Sequence, residues 1–328
     1  MIGSAVIEGR QRRVLGRTGL PVSPIGLGLA ALGRPGYINL GHGEDLGGRT
    51  DVEDMERNTH AVLDAAFAGG VRYFDAARSY GRAEEFLASW LHDRGLRPGE
   101  VTVGSKWGYT YTAGWRVDAD PAEVKDLSAA TLRRQIAESR DLLEPYLRLY
   151  QIHSATVESG VLKDREVLAE LRGLREQGLS IGVSVTGPSQ AETIRRAVEV
   201  GIFDTVQATW NLLERSAGPA LADAHAAGLG VILKEALANG RLTARGGGHR
   251  LDAVAQERNA TPDALALAAA RAQSWADVVL SGATTAEQLQ SNLAVLDISY
   301  DEELDRRLEE LVEEPTRYWS TRSGLPWS

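Results

Sequence analysis

The chain has 328 residues, 43% hydrophobic and 25% charged, enough to bury a large core. Its 36 basic and 45 acidic residues give a formal charge of −9, the wrong sign for general attraction to nucleic acid or anionic lipid. The absence of cysteine excludes disulfides and thiolate-bound metal, and the six histidines show no HExxH or comparable metal spacing, so no metal is expected. The opening MIGSAVIEGRQRRVLG lacks the apolar core of a signal peptide, and no later run approaches the ~18 residues of a membrane helix. A cytoplasmic enzyme acting on a small molecule is the expectation, without nucleic-acid or membrane partners. Nothing in the composition bears on oligomeric state.

In chain order, residues 1–23 come first, and RRVLGRTGLPVS within them has the turn chemistry of a hairpin. Short β-rich runs then alternate with longer helical patterns, which implies βα units and a parallel sheet. Eight such runs can be counted: 24–29 (PIGLGL), 71–75 (VRYFD), 101–106 (VTVGSK), 149–153 (LYQIH), 180–184 (SIGVS), 204–208 (DTVQA), 230–234 (GVILK) and 277–282 (DVVLSG). The fold class is therefore α/β, a (β/α)8 TIM barrel with the N-terminal hairpin capping its bottom. One barrel domain over 1–328 is expected, since no linker divides the chain. Helix starts are signed by Asp120-Pro121-Ala122-Glu123, by Ser189-Gln190-Ala191-Glu192 and by Thr261-Pro262, and stops by Gly201 and Gly228. Residues 33–51, 107–121 and 238–250 read as long Gly-rich or aromatic-rich loops of the kind that cover a binding site.

Several runs end in polar residues, and in a parallel barrel the C-terminal strand ends carry the chemistry. Asp75 closes the second run and Tyr80 follows five residues later, Lys106 closes the third, and His153 closes the fourth. Each alone is more often a packing or hydrogen-bonding residue. Together they compose a proton-transfer site. A phenol loses its proton near pH ~10, so Lys106 would supply a cation to favour the phenolate, Asp75 would keep that lysine charged, and His153 would donate a hydrogen bond to a carbonyl.

The chain resembles the aldo-keto reductase family. The resemblance covers roughly residues 13–300 and rests on VLGRTGLPVSPIGLG, YFDAARSYG, GSKW, YQIH, IGVS, VQATWNLLER and the SNL of QLQSNLAVL. It implies an NADPH-dependent reductase of aldehydes or ketones, with Tyr80 as general acid, Lys106 and Asp75 tuning it, and His153 orienting the carbonyl. By the same resemblance Ser184 and Gln207 would hold the nicotinamide carboxamide and Trp210 would stack on the ring. Leu237, Gly240, Ser281 and Gly282 would lie near the pyrophosphate, with Gln288 and Asn292 on the adenosine side. The family's asparagine after the serine is Val185 here. The segment SGATTAEQLQSN, where the family commonly carries basic residues for the adenosine 2′-phosphate, has no Lys or Arg. NADH is thus a second option, and Arg241, Arg245 or Arg250 on the neighbouring loop would be the compensating residues.

Trp107, Tyr109, Tyr111 and Trp115 follow the third run, either as an aromatic substrate wall or as a loop packed on itself. Two alternatives to a reductase stay open at this level. One is a nucleotide-binding regulatory subunit with little turnover. The other is a Schiff-base aldolase using Lys106 as the nucleophile.

Overall fold

The computed structural model describes residues 12–247 and 250–328. Residues 1–11, most of the stretch read for a signal peptide, and 248–249, within the loop 238–250, lie outside the described residues. Twelve strands are present among those described. β1 (Arg13–Val14) and β2 (Pro21–Val22) pair antiparallel. β3 (Ile25–Gly28), β4 (Tyr73–Asp75) and β5 (Thr102–Trp107) follow. A second antiparallel hairpin comprises β6 (Tyr109–Tyr111) and β7 (Glu123–Lys125). β8 (Leu147–Ala155), β9 (Ser180–Val185), β10 (Thr205–Thr209), β11 (Gly230–Lys234) and β12 (Val278–Ser281) complete the set.

All eight runs counted in the sequence become strands of one closed barrel, and pairing of β12 with β3 (Val279↔Ile25) closes it. The strands are buried on both faces, by helices outside and by one another's side chains inside. They therefore read as nearly continuous apolar runs rather than alternating ones. Capping signals start many of the helices. Thr261 accepts the Ala264 amide and Thr285 the Gln288 amide, as their positions before apolar periodicity require. Gly201 ends the helix Gln190–Val200 with φ +74°.

Two helix signals need correction. Asp120-Pro121-Ala122-Glu123 does not open a helix: Glu123–Lys125 is taken by antiparallel pairing with Tyr109–Tyr111, and the helix Ala129–Leu143 begins later, capped by the Ser128 hydroxyl. Helix Gln190–Val200 does start after Ser189, but that serine's side chain makes no capping bond. The Gln190 side chain is instead drawn inward, donating to the Thr209 carbonyl and accepting its amide.

The N-terminal hairpin packs on the barrel as expected. Leu15, Leu20 and Val22 join Tyr73, Leu149, Ile232, Val278 and Leu280 in a separate apolar cluster. The Arg17 amide donates to the Gly228 carbonyl, and the chain approaches β11 so closely that a Cβ on Gly16 (φ +47°) would lie 2.1 Å from the Gly230 nitrogen. A Cβ on Gly230 would meet Leu15 at 2.6 Å. Gly230→Ala therefore overpacks this joint, and a loss of about 1–3 kcal/mol is expected. A lower urea midpoint at unchanged slope checks it.

Candidate active site

Asp75 and Lys106 are neighbours because β4 and β5 are paired in parallel, Asp75 opposite Gly104, so both side chains emerge at the C-terminal end of the barrel. Both are buried, and they form a salt bridge. Lys106 uses all three of its donors: Nζ donates to Asp75 Oδ2, to the Ala76 carbonyl at 3.0 Å and to the Tyr80 hydroxyl at 3.3 Å. The other carboxylate oxygen of Asp75 accepts three more bonds, from Tyr73 Oη at 3.0 Å and from Gln151 and Gln207 Nε2 at 3.1 Å each. Gly104 makes room for this arrangement, since a Cβ there would stand 2.6 Å from the Tyr73 hydroxyl.

Tyr80 sits on a turn after β4 that is tied back to β5 by the Arg78 amide on the Lys106 carbonyl. Burial, and then the Asp75 charge, push its pKa well above the usual tyrosine value, while Arg34 pulls the other way. The phenol is thus held protonated, a different balance from the phenolate-favouring cation expected from sequence. His153, edge-on to Tyr80 with ring centroids 5.4 Å apart, has Nδ1 3.4 Å from Ser79 Oγ. Burial and the surrounding cations Lys106, Lys234, Arg34 and Lys125 push its pKa well below the usual histidine range. A neutral imidazole keeps one N–H for donation. Ser154 beyond it has φ +54°, a left-handed backbone uncommon for a residue with a side chain and frequent at functional sites.

A cavity of about 700 Å³ opens above these groups, within the usual range for small-molecule sites. Asp75, Tyr80 and His153 border one part of it, and Lys106 lies beneath them. Among the residues assigned to the cofactor, Gln207, Leu237, Gly240, Ser281, Gly282, Gln288 and Asn292 border it too. Asn292 Nδ2 holds Ser281 Oγ at 2.8 Å. Ser184 and Trp210 do not border it. Ser184 is buried, its hydroxyl receiving the Ser154 amide, and Trp210 packs edge-on against Trp275 at 6.0 Å. The aromatics at the end of β5 and beyond it also stand back from the cavity. Trp107 is in the core, Tyr109 flanks His153 at 5.0 Å between centroids, and Trp115 packs beside Phe86 and donates to the Thr50 carbonyl.

Other residues at the cavity were not singled out from sequence: Arg34, Lys234, Glu235, Arg322 and Trp327. The Lys234-Glu235 pair directly after an apolar strand run was the available signal. The contribution of Arg322, on helix Pro315–Ser323, follows from tertiary structure alone.

The three candidate phosphate-binding arginines are all engaged with carboxylates. Arg241 pairs with Glu313 at 2.5 Å, Arg245 with Asp45 at 2.5 Å and Arg250 with Glu310 at 2.6 Å. Asp45 and Asp263 themselves border the cavity. Among the described residues no group of His, Cys, Asp and Glu is arranged to hold a metal ion, and no helix is long and apolar enough to cross a membrane.

Comparison with known proteins identifies the family. The model of the aldo/keto reductase family matches residues 24–313. An uncharacterized oxidoreductase of Bacillus subtilis, YrpG, is 27% identical over 92% of this chain and 95% of its own. The NADH-specific methylglyoxal reductase of Escherichia coli is 26% identical, covering 91% of this chain and 98% of that protein. An aryl-alcohol dehydrogenase [NADP(+)] of Phanerodontia chrysosporium is 28% identical, but the match spans 63% of this chain and 53% of that protein's length. In structure, an aldo-keto reductase of Bacillus halodurans in its holo form superposes with a TM-score of 0.72 at 20% identity, over 93% of this chain and 97% of that one. The family match runs from before the first barrel strand to beyond the last, and the chain accordingly belongs to the aldo/keto reductase family of NAD(P)-dependent oxidoreductases.

Proposed function

We propose that this protein reduces an aldehyde or ketone to the alcohol, with Tyr80 delivering the proton and His153 positioning the carbonyl oxygen. The observation that carries this reading is the convergence of Lys106 Nζ on both Asp75 and the Tyr80 hydroxyl at the floor of a cavity that His153 also borders. A nicotinamide cofactor, when bound, supplies the hydride. Gln207, Ser281, Gln288 and Asn292, which border the cavity, would line its site together with the loop after β11 at Leu237–Gly240 and the end of β12 at Ser281–Gly282.

The residues of the chain do the rest. His153, neutral, donates a hydrogen bond that fixes and polarises the carbonyl without charging the pocket further. Tyr80, kept protonated by burial and Asp75, holds the proton that the developing alkoxide takes. Lys106 then faces the phenolate left behind at 3.3 Å, so its charge is used after proton transfer more than before it. Its ion pair with Asp75 favours this part over the covalent one of a Schiff-base lysine. The chain acts as one catalytic unit on a small carbonyl compound, and the cytoplasm is its expected setting.

Tyr80→Phe is expected to lower kcat by roughly 10²–10⁴-fold with cofactor affinity nearly intact, because only the acidic proton is removed. Near-normal reduction of a good substrate by this variant would exclude Tyr80 as the acid. Both reacting side chains are held away from their ordinary pKa values in opposite directions, His153 down and Tyr80 up. With a neutral carbonyl substrate, kcat for reduction should therefore be level from about pH 6.5 to 10, the interval between their ordinary values. A limb within that interval would assign the proton to another group.

The cofactor follows from charge. With Arg241, Arg245 and Arg250 engaged by carboxylates and SGATTAEQLQSN free of basic residues, the 2′-phosphate lacks its charge-assisted bonds, which are worth about 1.5–3 kcal/mol each. NADPH and NADH should accordingly bind within ~100-fold of one another, about 2.7 kcal/mol. Dissociation constants for both at one ionic strength check this, and a larger NADPH preference would reveal a basic clamp released from its carboxylate.

A further inference from the structure

The reaction end of the cavity holds more cations than proton transfer uses. Arg34, almost wholly buried at 3% exposure, borders the cavity, and both its hydrogen bonds among the described residues run through Nη1, to the Ser79 carbonyl and to Glu123 at 2.9 Å each. Its guanidinium lies 4.6 Å from the Trp327 ring centroid, 5.3 Å from that of Tyr37 and 5.5 Å from that of Tyr80. Nη2 makes no hydrogen bond there.

Lys234 ends β11 and is 15% exposed at its side chain. Nζ donates to Thr209 Oγ1 at 2.9 Å and stands 3.6 Å from Glu235. Glu235 already accepts from Arg322, whose Nη2 and Nε reach its two oxygens at 2.5 and 2.8 Å, and from the Thr209 hydroxyl at 3.2 Å. Two cations thus share one carboxylate. Glu235 itself has φ +56°, a backbone state that glycine would adopt more easily.

Anchoring the C-terminal helix would need only Arg322 and Glu235. Lys234 adds a second buried cation, which burial pushes down to about 8 even though the Glu235 charge opposes the shift. The charges acting on His153 and Tyr80 include the cations Lys106, Lys234, Arg34 and Lys125, against Asp75, Glu123 and Glu235. Asp75 is occupied by Lys106, and Lys125 has no carboxylate partner among the described residues, its Nζ donating to the Ser154 carbonyl at 2.7 Å.

We propose that the carbonyl substrate carries a carboxylate, which is received by Lys234 and Arg34 beside the proton donor. The inference rests on the reductase reading and narrows it to a substrate class, oxo-acids or carboxylated aldehydes. The carboxylate would accept from Lys234 Nζ and Arg34 Nη2, while Glu235 and Arg322 fix the wall from which Lys234 projects.

The test compares matched substrates, 4-carboxybenzaldehyde against benzaldehyde and succinic semialdehyde against butanal, at saturating cofactor. In the wild-type enzyme the carboxylated member should have the higher kcat/KM by roughly 10–100-fold, chiefly through KM, as one or two charge-assisted bonds would give. Lys234→Met should collapse that ratio at least tenfold while Arg322 still balances Glu235. If the variant does not fold by far-ultraviolet circular dichroism, Arg34→Met, which leaves the partly exposed Glu123 and the Ser79 carbonyl without that partner, takes its place. Equal rates for the two members, or a ratio untouched by the substitution, would overturn the carboxylate inference and leave the reductase reading standing. If no carbonyl is reduced at all, the reductase reading fails. The anion site is then judged by benzoate against benzamide binding to the protein holding NADP+, read by quenching of tryptophan fluorescence: Lys234-dependent selection of benzoate supports it, and equal binding overturns it.

Discussion

The salt bridge between Asp75 and Lys106 is the constraint around which the barrel mouth is organised. Two ionised groups removed from water are costly unless every remaining lone pair and proton is met. Here each is met from a different part of the barrel: Tyr73 on β4, Gln151 on β8 and Gln207 on β10 all reach Asp75, while Lys106 on β5 reaches the Ala76 carbonyl and Tyr80. The pair therefore acts as a polar hub in an otherwise apolar interior. Glycine at 104 leaves room for the buried Tyr73 hydroxyl that helps to satisfy it.

Electrostatics then divides the cavity into two unlike regions. Around His153 the surroundings are cationic, through Lys106, Lys234, Arg34 and Lys125, while Tyr80 beside it feels the Asp75 charge more strongly. Around the loop 238–247 and the segment near Leu40 each arginine has its own carboxylate, whereas at the reaction end Lys234 and Arg322 share Glu235 and Lys125 has none among the described residues. Positive charge is concentrated where a carbonyl would be polarised and is withheld where a second phosphate would sit. That contrast is opposite in emphasis to an enzyme that selects its cofactor strongly by phosphate and its substrate by shape alone.

The barrel was legible because its signals are local. Apolar runs bounded by turn residues and helix starts such as Thr261-Pro262 each act over a few residues, and so does the placement of Asp75, Lys106 and His153 at strand ends. The capping signal at Asp120 misled because pairing with Tyr109–Tyr111 outcompeted it, and a hairpin partner lying ten or more residues away is invisible to a capping rule. The aromatics after β5 illustrate another limit. Their composition suited a substrate wall, yet Trp107 turns into the core and Trp115 toward Phe86, because which face a side chain takes depends on packing that a sequence window does not contain. The charged wall was half visible, in Lys234 and Glu235, and half hidden in Arg34 and Arg322, which meet it only in the folded chain.

The C-terminal segment returns to the first loop. The Tyr37 amide donates to the Ser328 carbonyl and the Ser328 amide to that of Tyr37, while Arg322 reaches Glu235 across 87 positions of sequence. Contacts of such separation are entropically the most expensive to close and tend to form late. This part of the pocket wall is thus assembled from the first barrel loop and the last helix, and a partly folded form lacking that helix lacks it. One wall of the cavity, with Arg322, Ser323, Leu325 and Trp327, is in that sense a property of the finished topology, completed only when the two segments meet.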